Sequence, residues 1–144
     1  MPRQDTIESQ QAGRSGKKYF TLAEARNALV LVRRIATDIQ ATQAERQRLH
    51  SLLSASTEGP PETVLGLQDR LEAETSRLEH LVEELAKMGV DLKDPARALL
   101  DFPSRYEGRE ILLCWKAGEA TILHWHEVDG GYAARRSVEE LEGD

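Results

Sequence analysis

Residues 64–88 read VLGLQDRLEAETSRLEHLVEELAKM, with apolar side chains at alternating intervals of three and four residues. The apolar positions are Val64, Leu67, Leu71, Leu78, Leu81, Leu85 and Met88, and Glu74 is the polar member of the series. This spacing places one apolar stripe along an α-helix, which then packs against an antiparallel neighbour at coiled-coil distance. Gly89 follows where a helix commonly ends. The stretch predicts a helix over about 61–88.

The partner helix is predicted upstream of this stretch. Thr21 and Glu24 form a T-x-x-E capping box, in which each side chain satisfies a backbone N–H at the helix start. Neither proline nor glycine occurs between Thr21 and Glu58, so a single helix over about 21–56 is expected. The sequence SASTEGPP at 54–61 then breaks the helix. Because this break is short, the two helices are expected to form an antiparallel hairpin.

Downstream of Gly89 the apolar pattern changes from helical to alternating. Short β-compatible runs occur at 90–94, 98–102, 109–115 and 119–128. The predicted fold class is α+β, a long antiparallel two-helix hairpin followed by a small antiparallel β-sheet, over about 90–138, packed at its base. A single domain is expected over 17–144. The polar residues 1–16 are expected to form a disordered tail.

The segment LLCWKAGEATILHWHEV at 112–128 is expected to form a β-hairpin. A three-residue hairpin loop commonly ends with glycine, so Gly118 closes the predicted loop and Trp115 lies opposite Glu119. Alternation along the two strands then directs Trp115 and Trp125 into the core. The pattern therefore predicts a hairpin with one apolar face toward the helices.

The same register decides which polar side chains of the hairpin can meet. Cys114 and His124 share the face opposite the tryptophans, about 13 Å apart along the sheet at a rise of about 3.3 Å per residue. The predicted register therefore excludes a Cys–His zinc site or a Cys–His nucleophile pair within the hairpin. It also predicts an inert, partly buried Cys114 thiol.

A candidate metal set remains on this face of the hairpin. His124 and His126 are two residues apart and point the same way, and Glu110 lies opposite His124 in the predicted register. Two imidazoles and a carboxylate are ligands that zinc or another divalent ion takes. The alternative is a half-exposed face without any cofactor, whose histidines bond to neighbours or water.

Charge and composition exclude several classes of partner. The 144 residues carry a net charge of −6, with nine basic and five acidic side chains in 1–57 but ten basic and twenty acidic ones in 58–144. A polyanion-binding protein normally presents an unopposed basic face, so no nucleic-acid partner is expected. No run has the length and apolarity of a signal peptide or a membrane span, so no membrane partner is expected. A single cysteine suits a reducing compartment, and a cytoplasmic location is expected.

Three segments resemble the bacterial domain-of-unknown-function family 2203: KKYFTLAEARNALVLVRRI, GVDLKDPARALLDFP and GREILLCWKAGEATILHWHEVDGGYAARR. The resemblance spans about 18–138 and implies no chemistry, because the activity of that family is unassigned. It directs attention to the charged residues that match the family motif, which are Asp101, Glu119, His126, Glu127 and Arg135. Carboxylates beside a histidine perform acid–base chemistry or hold a metal. Alternatively, Glu119 and Glu127 pair with Arg109 or Arg135 along the polar edge of the hairpin.

Two functions fit these observations. The first is a cytosolic interaction module that forms a homodimer through its long helices, or binds another protein, because Val30, Leu31 and Ile35 exceed what one neighbouring helix covers. The second is a small-ligand-binding protein or metal-dependent enzyme with a site around Asp101, His126 and Glu127. The first is the expected function, and the sequence identifies neither a reaction nor a substrate.

Overall fold

The computed structural model describes residues 17–56 and 59–141, and the predicted tail at 1–16 lies outside these ranges. The long helices are α1 (Leu22–Ala55) and α2 (Pro61–Lys87). The strands are β1 (Asp91–Asp94), β2 (Leu99–Tyr106), β3 (Arg109–Lys116), β4 (His124–Glu127) and β5 (Arg136–Ser137), with short 3₁₀ helices at Tyr132–Ala134 and Val138–Glu140. Two packed helices followed by an antiparallel sheet confirm the predicted α+β class.

The helical hairpin forms as its sequence pattern indicates. The Thr21 hydroxyl accepts from the Glu24 N–H at 3.1 Å, and the Glu24 carboxylate accepts from the Thr21 N–H at 2.9 Å, which completes the capping box. On α2, every position of the three-four series is buried or half-buried, which is how a stripe facing a partner helix should appear. No helix in the described part of the chain has the length and apolarity to cross a membrane.

The five described strands form one sheet in sequence order, each antiparallel to its neighbours. One face of the sheet packs against the first half of α1 and the end of α2 in a continuous apolar core. Residues buried in this core include Leu29, Val32, Leu85, Phe102, Leu113, Trp115 and Trp125. The burial of both tryptophans confirms the face assigned to them from the sequence.

The predicted register between β3 and β4 is wrong by four residues. His124 pairs with Cys114, whereas the prediction placed it opposite Glu110. The tight turn after Lys116 does form, because the Glu119 N–H donates to the Lys116 carbonyl at 3.0 Å. The chain then leaves the sheet, and β4 begins only at His124. Since four is an even number, each side chain keeps its predicted face while its cross-strand neighbour changes.

Arginines of α1 hold the segment between the turn and β4 away from the sheet. Arg33 donates to the Ala120 carbonyl at 2.9 Å, and Arg26 donates to the Ile122 carbonyl at 2.8 Å. These bonds satisfy backbone acceptors that a longer β-hairpin would have paired with β3. Ile122 is fully buried in the core as a result.

The second face of the sheet, which points away from the helices, is called here the outer face. A segment comprising residues 128–135, the covering loop, folds back over it and contains the first 3₁₀ helix. Gly131 has a φ of 76°, a backbone conformation that glycine adopts without strain. The loop buries polar side chains on the outer face that would otherwise be in solvent.

Candidate functional site

Three ionisable side chains meet under the covering loop. The His126 Nε2 lies 3.1 Å from the Asp101 Oδ1, and one ligand atom each from Asp101, Cys114 and His126 fall within 4.8 Å of one another. Asp101 is 2% exposed, His126 is 3% exposed and Cys114 is fully buried. Buried ionisable groups are uncommon unless they are paired or coordinate a metal.

Strand register explains how the three residues come together. Asp101 on β2 is the cross-strand partner of Cys114 on β3, so their side chains stand next to each other on the outer face. His126 on β4 pairs with Leu112, one step along the same face from Cys114. Diagonal neighbours on one face are within reach of a long side chain such as histidine. The observed register, four residues away from the predicted one, therefore brings a cysteine and a histidine together that the predicted register had kept apart.

Backbone groups orient the His126 ring. Its Nδ1 lies 2.7 Å from the Glu127 carbonyl oxygen and 3.2 Å from the Gly131 N–H. The carbonyl contact requires a proton on Nδ1, whereas the amide contact requires a lone pair there, so the two contacts belong to different tautomers. With the proton on Nδ1, the ring takes the shorter contact and accepts at Nε2 from a protonated Asp101, whereas a ring with its proton on Nε2 donates to the Asp101 carboxylate.

Burial governs the ionisation of the other two members of the cluster. Desolvation raises the pKa of Asp101, and His126 opposes this rise by favouring the carboxylate. Desolvation, followed by the charge of Asp101, raises the pKa of the Cys114 thiol to about 12. The thiol therefore remains protonated at neutral pH, which agrees with the inert Cys114 expected from the sequence. Its burial is complete rather than partial.

A cavity of about 340 Å³ opens above the Asp101–His126 pair. Leu99 and Leu112 contribute apolar surface to it, and the covering loop forms its opposite wall through residues 128–132. Lys93, on the irregular edge of β1, also lines the cavity and forms no ion pair with any described residue. A concave pocket with a few convergent polar groups is the usual form of a small-molecule site.

Cations surround the Tyr132 ring, which lines the same cavity. The side chains of Arg97, Lys116 and Arg135 lie 5.0, 5.6 and 4.6 Å from the ring centroid, within the range of cation–π contacts. A hydrogen bond with Lys116 is the main cause that lowers the pKa of the Tyr132 hydroxyl. Two of these cations are also ion-paired, Arg97 with Asp94 and Arg135 with Glu119.

Glu119 and Arg135, two of the predicted site residues, form a separate group beside the cavity. The Glu119 carboxylate pairs with Arg135 and accepts from the Lys116 N–H at 2.9 Å, while Arg135 also contacts His124. Burial opposes the charge of Arg135, but the bond to Glu119 prevails and its pKa is raised. The Arg135 Nε has no hydrogen-bond partner among the described residues. This group ties the covering loop to the turn after β3.

The other predicted site residues lie in ion pairs elsewhere. Glu127 forms a two-bond pair with Arg109, at 2.9 and 2.7 Å, which matches the structural alternative considered for it. Glu110 accepts from Lys17 at 2.9 Å and from Tyr19 at 3.0 Å. The predicted metal set of His124, His126 and Glu110 is therefore not assembled, because the register moves Glu110 away from His124.

Of the predicted site residues, only Asp101 and His126 meet directly in the buried cluster. Cys114, Lys93 and Tyr132 also belong to the site, although the sequence patterns did not indicate them. Cys114 could have been found by testing other strand registers. The register with His124 opposite Cys114 brings Asp101, Cys114 and His126 together on one face. The position of Tyr132 depends on the fold of the covering loop, for which the local sequence carries no periodic signal.

Comparison with protein families matches residues 18–138 to the family described as an uncharacterized conserved protein, DUF2203. The chain belongs to this family. The match confirms the resemblance seen in the motifs, and residues 18–138 include all three members of the buried cluster. No curated protein and no solved structure matched the chain. Membership in DUF2203 assigns no activity, so the site geometry is the basis for a functional proposal.

Proposed function

We propose that the protein binds a small anionic molecule, one carrying a carboxylate or phosphate group, in the cavity above Asp101 and His126. The observation that supports this most directly is Lys93, a cation without an ion-pair partner among the described residues that faces the cavity. Tyr132, with Lys116 and Arg135 against its ring, stands across the same space. The proposal corresponds to the small-ligand alternative weighed from the sequence.

The Asp101–His126 pair at the floor of the cavity determines which groups a bound anion meets there. Desolvation raises the pKa of Asp101, which moves the carboxyl group toward its neutral form and weakens its repulsion of an anion. His126 lines the cavity beside it and bonds to the Asp101 carboxyl. A bound anion thus meets Lys93 at the rim and a hydrogen-bonding pair at the floor, with the Asp129 carboxylate as the opposing charge in the lining. Perturbed ionisable groups in a pocket are typical of functional sites.

Replacing Lys93 with glutamine is expected to weaken the binding of inorganic phosphate about tenfold, a loss of about 1.4 kcal/mol. The physical reason is the loss of a charge-assisted contact at the rim. Isothermal titration calorimetry with phosphate at constant ionic strength measures the effect. Lys87→Gln, an exposed lysine at the end of α2, is the matched control and should bind phosphate like the unaltered protein. Equal affinity in all three proteins, or no binding in any, contradicts the proposal.

A second proposed function is self-association through the long helices. Its support is the exposure of two adjacent apolar side chains on α1, Val30 at 69% and Leu31 at 57%. Both lie on the side of the helix that faces neither α2 nor the sheet. Exposed apolar patches of this kind mark interaction surfaces, and a second copy of the chain is the occupant proposed here.

The double substitution Val30→Glu/Leu31→Glu is expected to convert a dimer into a monomer of 16.2 kDa. Two introduced carboxylates would be desolvated at the interface, which is strongly unfavourable. Sedimentation velocity at tens of micromolar measures the mass, and Gln47→Glu, an exposed position about four turns farther along the same helix, is the control that should remain dimeric. A monomeric unaltered protein would reject this second function and leave the ligand proposal standing.

A further inference from the structure

We infer that Asp101, Cys114 and His126 form a binding site for a divalent transition metal, zinc above all, with an open coordination position toward the cavity. The inference rests on the proposed function in one respect, since it takes the cavity as the space for the ligand of the metal. The bound metal ion would be the group that anchors an anionic ligand in the cavity.

The separations of the three ligand atoms are close to those that zinc requires. Nitrogen and oxygen atoms that share a tetrahedral zinc ion lie about 3.3 Å apart, and sulfur lies slightly farther from each. The His126 Nε2 and the Asp101 Oδ1 are already 3.1 Å apart. No two of the three ligand atoms are more than 4.8 Å apart. Side-chain movements that displace the ligand atoms by about 1 Å then bring all three to the spacing that zinc requires.

The ligand atoms of the three side chains lie close enough together to share one ion. With Nδ1 protonated and bonded to the Glu127 carbonyl at 2.7 Å, the His126 Nε2 presents a lone pair to Asp101. Asp101 and Cys114 present oxygen and sulfur to the same space. Lone pairs on neighbouring oxygen, nitrogen and sulfur atoms repel one another, so without a cation the three groups must share protons in hydrogen bonds. A metal ion replaces these protons, and metal-binding histidines commonly donate their other ring N–H to a carbonyl in this way.

The ligand types select the class of metal. Magnesium and calcium take oxygen ligands, whereas a set of one thiolate, one imidazole and one carboxylate suits zinc or cobalt(II). Three protein ligands with a vacant fourth position are the pattern of catalytic rather than structural zinc sites. Asp101 and His126 line the cavity, while Cys114 lies beneath them and is fully buried. The open position therefore faces the cavity.

The decisive experiment titrates the metal-free, full-length protein with cobalt(II) and then displaces the cobalt with zinc. One metal per chain is expected, with the near-ultraviolet absorption of a cobalt–thiolate bond. Cys114→Ala should remove this absorption band, and both Cys114→Ala and His126→Ala should weaken zinc binding at least a hundredfold. His124→Ala is the matched control, because His124 lies on the same strand face but contacts Arg135, and it should bind like the unaltered protein.

Two results would overturn the inference. The first is the absence of metal binding at tens of micromolar, and the second is binding that survives Cys114→Ala and His126→Ala but fails in His124→Ala. Circular dichroism on each variant, with Asp101→Asn as a nearly isosteric third substitution, distinguishes lost ligands from lost folding. Phosphate titrations run with and without zinc separate the two proposals. Lys93-dependent phosphate binding without any zinc site rejects the metal alone, whereas zinc binding without an effect of Lys93→Gln rejects the proposed anion site alone.

Discussion

Replacing Trp125 with alanine is expected to lower the free energy of unfolding by about 3–5 kcal/mol, the usual cost of truncating a large buried aromatic. Trp125 is 1% exposed and is the core residue of β4. Its ring lies 5.9 Å from the Tyr106 ring, and its indole N–H donates to the Ser137 carbonyl at 3.1 Å. One side chain thus joins β2, β4 and β5, and its removal opens a cavity between them.

Urea denaturation of the purified variants measures this loss. Trp125→Phe keeps most of the apolar area but removes the bond to Ser137, so a smaller cost of about 1 kcal/mol beyond the lost area is expected. Trp115→Phe is a matched comparison, because the Trp115 N–H donates to the Glu119 carbonyl at 2.9 Å in a similar way. A cost below about 1 kcal/mol for Trp125→Ala would show that β4 is not held by the core as described.

The helical hairpin was predictable because its signals are local. The capping box at Thr21 and Glu24 lies within one turn, and the stripe on α2 repeats over a single segment. Interactions between residues three or four apart determine such features whatever the rest of the chain does. The same holds for the faces of the strands, since alternation directs Trp115 and Trp125 inward in either register.

The register of β4 was not predictable from local rules. The turn at Gly118 has the expected character, with a φ of 103°, and by itself it favours a tight hairpin. Bonds from Arg26 and Arg33 to carbonyls about ninety residues away stabilise a different path. The sequence of the turn contains no feature that indicates which distant arginine will bond to the carbonyl groups that follow it. Register errors therefore arise where a distant element competes for the backbone.

In the candidate site, some residues were indicated by the local sequence motif, whereas Cys114 depended on the strand register. The family motif pointed to Asp101 and His126, and the structure brings them together. It also pairs Glu127 with Arg109 and Glu119 with Arg135, as the structural alternative anticipated for these carboxylates. Cys114 was rejected only because the predicted register placed it opposite Ala120. One wrong cross-strand partner was enough to conceal a three-residue cluster.

His126→Ala is expected to lower the free energy of unfolding by about 3–5 kcal/mol near pH 7.5, because it leaves the buried Asp101 without its partner. Near pH 4.5 the cost should fall to about 1–2 kcal/mol, the value of a lost hydrogen bond. The folded-state pKa of Asp101 is raised above its unfolded value by desolvation. Its contribution to stability is therefore fully present below the unfolded pKa and is lost as the pH rises through the folded pKa.

Removal of His126 enlarges this pH dependence, because His126 is the group that most favours the Asp101 carboxylate in the folded state. Asp101→Asn replaces the titrating group by a neutral one of similar shape, so the double variant Asp101→Asn/His126→Ala should lose the difference between the two pH values. Urea unfolding at pH 4.5 and 7.5 measures all three variants against the unaltered protein. An equal cost of His126→Ala at both pH values would mean that Asp101 does not carry a buried charge. The pair would then stabilise the fold through packing and a neutral hydrogen bond.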